Sequence, residues 1–221
     1  MRPFKGLVHG DTGTGKSWLA RTLSDVCRVY YLCVDASAAY VYATASNDSI
    51  IKPISSFDDI RAARNWLLGK GRKEVGGVVL DSLTQGFQQR RTQFSGSDID
   101  HIAKVTQSQW GQVKEEYRLF TDYIMRLPDI HAVILTVSQR VTDELEPGTE
   151  ARPNYIVVPA IETNLKNEIG CYLLDMGYCY KRWEGQENRY YITFERGGID
   201  TKLTGPNKIP SMENPTFEKI L

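Results

Sequence analysis

Four short runs of the chain are apolar almost throughout: FKGLVHG from Phe4 to Gly10, VYYLCV from Val29 to Val34, GGVVLD ending at Asp81, and HAVILTVSQ from His131 to Gln139. Runs this short with no polar face read as strands buried on both sides. Between them the period changes. KSWLARTLSDV places Trp18, Leu19, Leu23 and Val26 close to one helical face. SSFDDIRAARNWLLGKG offers Ser55 or Ser56 as a cap, Asp58 or Asp59 three residues on, and Gly69 and Gly71 to end a helix. WGQVKEEYRLFTDYIMRL is the longest amphipathic stretch, with Trp110, Val113, Tyr117, Phe120, Ile124 and Leu127 along one side. Farther on, CYLLDMGYCYKRW and RYYITFER read as strands joined by the turn EGQEN. The polar stretch from Gln85 to Gln109 predicts loops and weak helix, and Arg140 to Tyr155 predicts irregular chain.

Buried strands alternating with helices predict an α/β fold: a mostly parallel twisted sheet with helices on both faces, extended at its C-terminal end by an antiparallel hairpin. No internal repeat and no clear linker interrupts the pattern. The expectation is one domain over residues 1–221, with a nucleotide-binding core in 1–140 and a loop, the last strands and a Pro- and Gly-rich tail in 141–221. Almost nothing precedes the first core strand, so assembly, if it occurs, is expected to use this core and its tail.

Composition narrows the function. Lys+Arg and Asp+Glu both number 27, a formal net charge of zero, so a general basic excess for coating nucleic acid is excluded and any such contact must be local. Cys27, Cys33, Cys171 and Cys179 fit no zinc spacing and read as reduced, mostly buried thiols. No signal peptide is expected, and no apolar run approaches the roughly 18 residues of a membrane span. A cytoplasmic protein with no membrane partner is expected.

The sharpest chemical signal is GDTGTGKS: Gly10, Asp11, Thr12, Gly13, Thr14, Gly15, Lys16 and Ser17, followed by Trp18. It matches G-x-x-x-x-G-K-[ST] between a predicted strand and a predicted helix, the context that a phosphate-binding loop requires. Glycines let the backbone curl so that several N–H groups face phosphate oxygens, and the helix start adds its positive dipole end. The expected ligands are ATP and Mg²⁺, with Lys16 reaching the β- and γ-phosphates and the Ser17 hydroxyl on the metal. Asp81, ending the strand GGVVLD, is the candidate second metal residue. It equally fits an acid that merely ends a strand. Ser138, Gln139 and Arg140 stand at the C-terminal end of the strand HAVILTVSQ, where open α/β sheets bind ligands. The Gln139 amide is a candidate γ-phosphate sensor or water-orienting group, or else a polar loop residue with no ligand.

Taken together, the phosphate loop, VVLDSLT and TVSQ resemble the RecA-like P-loop ATPase core. The tail RGGIDTKLTGPNKIPSMENPTFEKIL resembles the ending of phage-encoded RecA-like nucleotide-binding proteins, a group that includes single-strand annealing proteins of the Sak type. SFDDIRAARNWL and YRLFTDYIMRLPDIHAVILT fit as well, so the resemblance spans nearly the whole chain. It implies an ATPase that forms homo-oligomeric rings or filaments on single-stranded DNA and aids phage recombination or annealing in the cytoplasm of a bacterial host. A single-strand DNA-binding protein is a candidate partner. Lys16, Ser17, Asp81 and Gln139 carry over as catalytic or metal-binding residues. Lys202 falls where relatives place a cation that reaches a neighbour's ATP site, although an exposed strand lysine fits equally.

The chain departs from that family in two places. The usual catalytic glutamate after the second strand is missing; Ser37 is nearest its position, and Asp35 is the candidate base. Thr204 stands where related tails often carry arginine, which leaves the contact from Lys202 and the speed of hydrolysis open. The resemblance also implies that the loops after the Asp81 strand and the Gln139 strand face DNA. The first carries Arg90, Arg91 and Lys104 against Asp98 and Asp100, with Phe87 and Phe94 available to stack on bases. The second, from Arg140 to Arg152, holds two arginines against Asp143, Glu144, Glu146 and Glu150 and is the poorer phosphate binder. Three classes stay open: a DNA-linked oligomeric ATPase, a nucleotide-dependent interaction module with little hydrolysis, and a P-loop small-molecule kinase, which the lack of an arginine-rich lid segment disfavours.

Overall fold

The computed structural model describes residues 3–95, 106–142, 148–149, 152–161, 173–194, 201 and 211–221. The first strand, β1 (Lys5–Gly10), leads into α1 (Lys16–Arg21), which tightens into a 3₁₀ turn at Thr22–Asp25. Then come β2 (Val29–Cys33), α2 (Ala36–Tyr42), β3 (Ile50–Pro53) and α3 (Phe57–Trp66), which passes through a π-turn at Leu67–Gly71 into the short α4 (Arg72–Glu74). Strand β4 (Gly77–Asp81) precedes α5 (Leu83–Ser95), α6 (Gln107–Arg126) and β5 (His131–Thr142). The rest comprises β6 (Gly148–Thr149), β7 (Arg152–Pro153), β8 (Tyr155–Pro159), β9 (Asp175–Glu184), β10 (Glu187–Thr193), β11 (Ser211–Glu213) and α7 (Phe217–Ile220).

The main sheet runs β11-β10-β9-β1-β5-β4-β2-β3, with β8 paired to β5 off this path. From β9 to β3 every neighbouring pair is parallel, and β10 and β11 are antiparallel additions beyond β9. Successive side chains of a strand face opposite ways. Leu7, Leu32, Leu80 and Ile134 therefore join one core with α3, α5 and α6, while Val8, Tyr31, Val79 and Val133 join another with α1, α2 and α7. Full burial of each such side chain contributes about 1.5–3 kcal/mol, which explains why the central strands carry no polar alternation. The box read at Ser56 is present: its hydroxyl accepts from Asp59 N–H, and the Asp59 carboxylate accepts from Ser56 N–H. Thr106 and Gln109 form a second capping box at the start of α6.

Two sequence expectations are corrected. The stretch after Asp81 is helical through Ser95, because Leu83 and Phe87, one turn apart, both face the core, and Gly86 lets the Tyr117 side chain of α6 approach closely. Strand β5 does not end at Gln139. It continues to Thr142 as an antiparallel ladder with β8, pairing Ser138 with Pro159 and Thr142 with Tyr155, so part of the expected irregular stretch is strand.

Two tethers matter for the site. Phe217 of α7 is fully buried, and its N–H donates to Thr22 Oγ1 at 2.8 Å, fastening the chain end to the turn after α1. At the other end of β1, buried Lys5 donates to the carbonyls of Leu127 at 2.6 Å and Ile124 at 3.2 Å, closing the end of α6. Burial lowers the Lys5 ammonium to about 8, against the pull of Asp129. Among the described residues, no helix is long and apolar enough to cross a membrane.

Candidate nucleotide site

The phosphate loop joins β1 to α1. Gly13 and Gly15 have φ of 75° and 84°, a left-handed backbone that favours glycine. Gly10 lies so close to the Cys179 carbonyl of β9 that a side chain there has no room. Thr14 Oγ1 donates to the Asp11 carbonyl at 2.7 Å and braces the curl. Lys16 Nζ donates to the carbonyls of Gly10 and Asp11, each at 2.8 Å. Burial lowers its pKa, opposed in part by Asp81 and Asp11.

Asp81 ends β4, which stands two strands from β1 with β5 between them. Its Oδ2 accepts from Ser17 Oγ at 2.7 Å and from the Tyr42 hydroxyl at 2.7 Å. Asp81 is only 4% exposed. Burial raises its pKa, while the two hydrogen bonds and Lys16 pull the other way. Tyr42 is buried and stacks on Tyr31 at a centroid distance of 4.1 Å. Burial first, and Asp81 second, push its hydroxyl far above the ordinary phenol range, so it remains a neutral donor.

Asp35 caps α2, its Oδ1 accepting from Ser37 N–H at 2.8 Å. Its Oδ2 accepts from Gln85 Nε2 of α5 at 3.0 Å. Burial raises the Asp35 pKa, but the hydrogen bonds from Ser37 and Gln85 outweigh it and leave the carboxyl below its usual range. A carboxylate can only accept, so the Gln85 amide must turn its NH₂ to Asp35. That leaves Gln85 Oε1 buried and without a hydrogen-bond partner among the described residues.

A cavity of about 770 Å³ spans these groups. The phosphate loop from Thr12 to Ser17 and Trp18 line its middle. Asp35 at the start of α2, Asp81 and Ser82 at the end of β4, Gln85 of α5 and Val137 of β5 line it, as do Tyr190 of β10 and Asn214, Pro215 and Thr216 of the segment after β11. Because β10 and β11 lie across β1 from β4 and β2, the two groups flank the loop from opposite sides.

The structure thus brings Thr12 to Trp18, Asp35 and Asp81 together around one cavity, with the Gly10 and Asp11 carbonyls beneath Lys16. It does not bring Gln139 there. Val137 lines the cavity; Gln139 shares its face one repeat farther along β5, exposed and paired with Val158. The cause is the continuation of β5, which turns the expected strand tip into paired strand. Phe87, expected to meet bases, is core and packs on Tyr117 at a centroid distance of 4.8 Å. Arg90 and Arg91 fall in α5, while Lys104 and Lys202 lie outside the described residues. Tyr42, Gln85 and Tyr190 were missed, because no motif marks them and only the fold brings them to the site; Asn214–Pro215–Thr216 lies in the tail that carries the family resemblance, but no role was read for it. Cys33 and Cys179 are free and buried, and burial pushes both thiols to about 12, so neither is poised as a nucleophile.

Comparison with known structures finds the RadB recombinase at a TM-score of 0.57 and 14% identity, covering 96% of this chain and 87% of that one. The flagellar accessory protein FlaH from Methanocaldococcus jannaschii aligns at a TM-score of 0.45 and 10% identity over 97% of this chain and 86% of that one. No curated protein sequence matches. The likeness to RadB shows a RecA-like P-loop NTPase fold, as the sequence predicted. The model of one sequence family, described as AAA domain, matches residues 2–202, and the chain belongs to that nucleotide-binding family.

Proposed function

We propose that the protein binds ATP with Mg²⁺ across the phosphate loop and hydrolyses it, as a RecA-like homo-oligomer working on single-stranded DNA in recombination or annealing of the phage type. The observation that carries the ATP reading is the 2.7 Å bond from Ser17 to Asp81. It joins the loop hydroxyl to a buried acid two strands away, at the end of the cavity where a γ-phosphate would lie. Two hard oxygens, one of them anionic, suit Mg²⁺. Ser17 and Asp81 would hold it, and when bound it neutralises charge on the β- and γ-phosphate oxygens. The residues of the chain do the remaining work. Loop N–H groups bind the phosphates. Lys16 exchanges its contacts with the Gly10 and Asp11 carbonyls for phosphate oxygens. Tyr42 fixes the Asp81 carboxylate. Asp35 and Gln85 present an acceptor pair for a water molecule, with Asp35 as proton acceptor.

The DNA and assembly parts of this reading rest on the sequence resemblance, and the likeness to a recombinase, RadB, agrees with them. Lys202 is proposed as the cation offered to a neighbouring subunit. Arg90, Arg91 and Lys104 are proposed for DNA contact. A second reading, a module whose conformation ATP sets with little turnover, is favoured by one observation: both Asp35 oxygens already accept hydrogen bonds, and its lowered pKa makes it a weak base.

ATP turnover measured with and without single-stranded DNA separates the two. Stimulation by DNA supports the ATPase reading. Tight ATP binding with no turnover under either condition supports the module. Phosphate transfer to a small acceptor contradicts both.

A further inference from the structure

The wall of the cavity on the side of β10 and β11 has a chemistry of its own. Tyr190, Asn214, Pro215 and Thr216 line it; none is charged, so the wall suits a flat neutral group and not a phosphate. Tyr190 is 39% exposed. Its ring lies against the phosphate loop: a Cβ at Gly15 would stand 3.2 Å from Tyr190 Cδ1. Asn214 is held beside it, its N–H donating to the Tyr190 carbonyl at 2.8 Å and its own carbonyl accepting from Lys219 Nζ at 3.0 Å. A left-handed backbone at Asn214, φ 44°, turns the chain there, and buried Phe217 anchors it three residues on. The wall is therefore preorganised, which reduces the cost of binding.

Resting on the ATP reading above, we propose that Tyr190, Asn214 and Pro215 form the nucleobase subsite. The Ser17–Asp81 pair sets the metal-bound end of a triphosphate toward β4, so the base end is directed across the loop to β10. The Tyr190 and Pro215 rings supply flat surfaces for the faces of the base. The Asn214 side chain, one acceptor and two donors, reads its edge, and such an amide pairs well with adenine. The C-terminal segment thereby becomes part of the nucleotide site of its own subunit.

The test compares equilibrium binding of ATP and of inorganic tripolyphosphate, both with Mg²⁺, to the full chain and to Tyr190→Ala, Tyr190→Phe and Asn214→Gly. Tyr190→Ala is expected to weaken ATP about tenfold, the scale of one lost stacking contact, and to leave tripolyphosphate unchanged. Tyr190→Phe restores ATP binding. Asn214→Gly keeps the left-handed backbone, removes the amide, and lowers the preference for ATP over GTP and CTP. Equal weakening of both ligands by Tyr190→Ala, or no weakening of either, overturns the subsite. So does a wild-type protein that binds tripolyphosphate as tightly as ATP, and that result leaves the phosphate loop intact as a site. Failure of the wild type to bind either ligand overturns the ATP reading itself.

Discussion

The two flanks of the phosphate loop are built on opposite principles. Toward β4 and β2 the wall is polar and tightly bonded: Asp81 accepts from Ser17 and Tyr42, and Asp35 accepts from Ser37 and Gln85. Toward β10 and β11 it is uncharged, partly open and ring-lined, with Tyr190 and Pro215. Charge that develops during phosphoryl transfer is stabilised by groups fixed in advance in a dry setting. A base needs only a flat surface and one or two edge contacts. The difference teaches that turnover and recognition should be separable by mutation: the polar flank governs rate, the ring-lined flank affinity.

Within the two flanks, the largest expected effect is Asp81→Asn. An amide oxygen can still accept from Ser17 and Tyr42, so the fold should hold, but the anion is gone. Single-turnover hydrolysis should fall by about 100-fold or more, and unchanged turnover would break the assignment of the polar flank. Gln85→Leu comes next. It frees one Asp35 oxygen and removes the buried Oε1 acceptor, so kcat should drop about tenfold while ATP affinity stays put. A change in affinity alone would move Gln85 to the recognition side. Tyr42→Phe removes one donor to Asp81 at little cost in volume. It should lower stability by about 1 kcal/mol in denaturant titration and reduce kcat a few-fold.

The smallest effect serves as a control, because Lys5 stands at the end of β1 remote from the loop. Its ammonium titrates near 8 in the fold against an ordinary 10.5. Between those values the unfolded chain holds a proton that the folded chain has lost, so stability from this group rises with pH across that window. Thermal unfolding of Lys5→Met from pH 8 to pH 10 should lack that rise, with ATP binding unaltered.

How much of this was visible in the sequence depends on the range over which each feature is encoded. Strands β1, β2, β4 and β5 are legible because central parallel strands need apolar residues on both faces. The loop is legible because its left-handed turns demand glycine at fixed spacing. Helix α5 was not, since its buried stripe is only Leu83 and Phe87 within a glutamine-rich run. The continuation of β5 was missed because Arg140 to Thr142 carry two exposed polar residues around Val141 and owe their strand form to pairing with β8. Tyr42 and Gln85 meet the acids from 39 and 50 residues away. Tyr190 lies against Gly15 only because β10 folds back beside β9, and Asn214 joins the same cavity because β11 pairs with β10. No local pattern announces such meetings.

The central claim is that one ATP lies across the phosphate loop with its terminal phosphate at Asp81. Steady-state ATP turnover by Lys16→Ala, with thermal unfolding to show that the variant is folded, tests it most directly. No measurable turnover is expected from that folded protein. Turnover at the wild-type rate contradicts the claim.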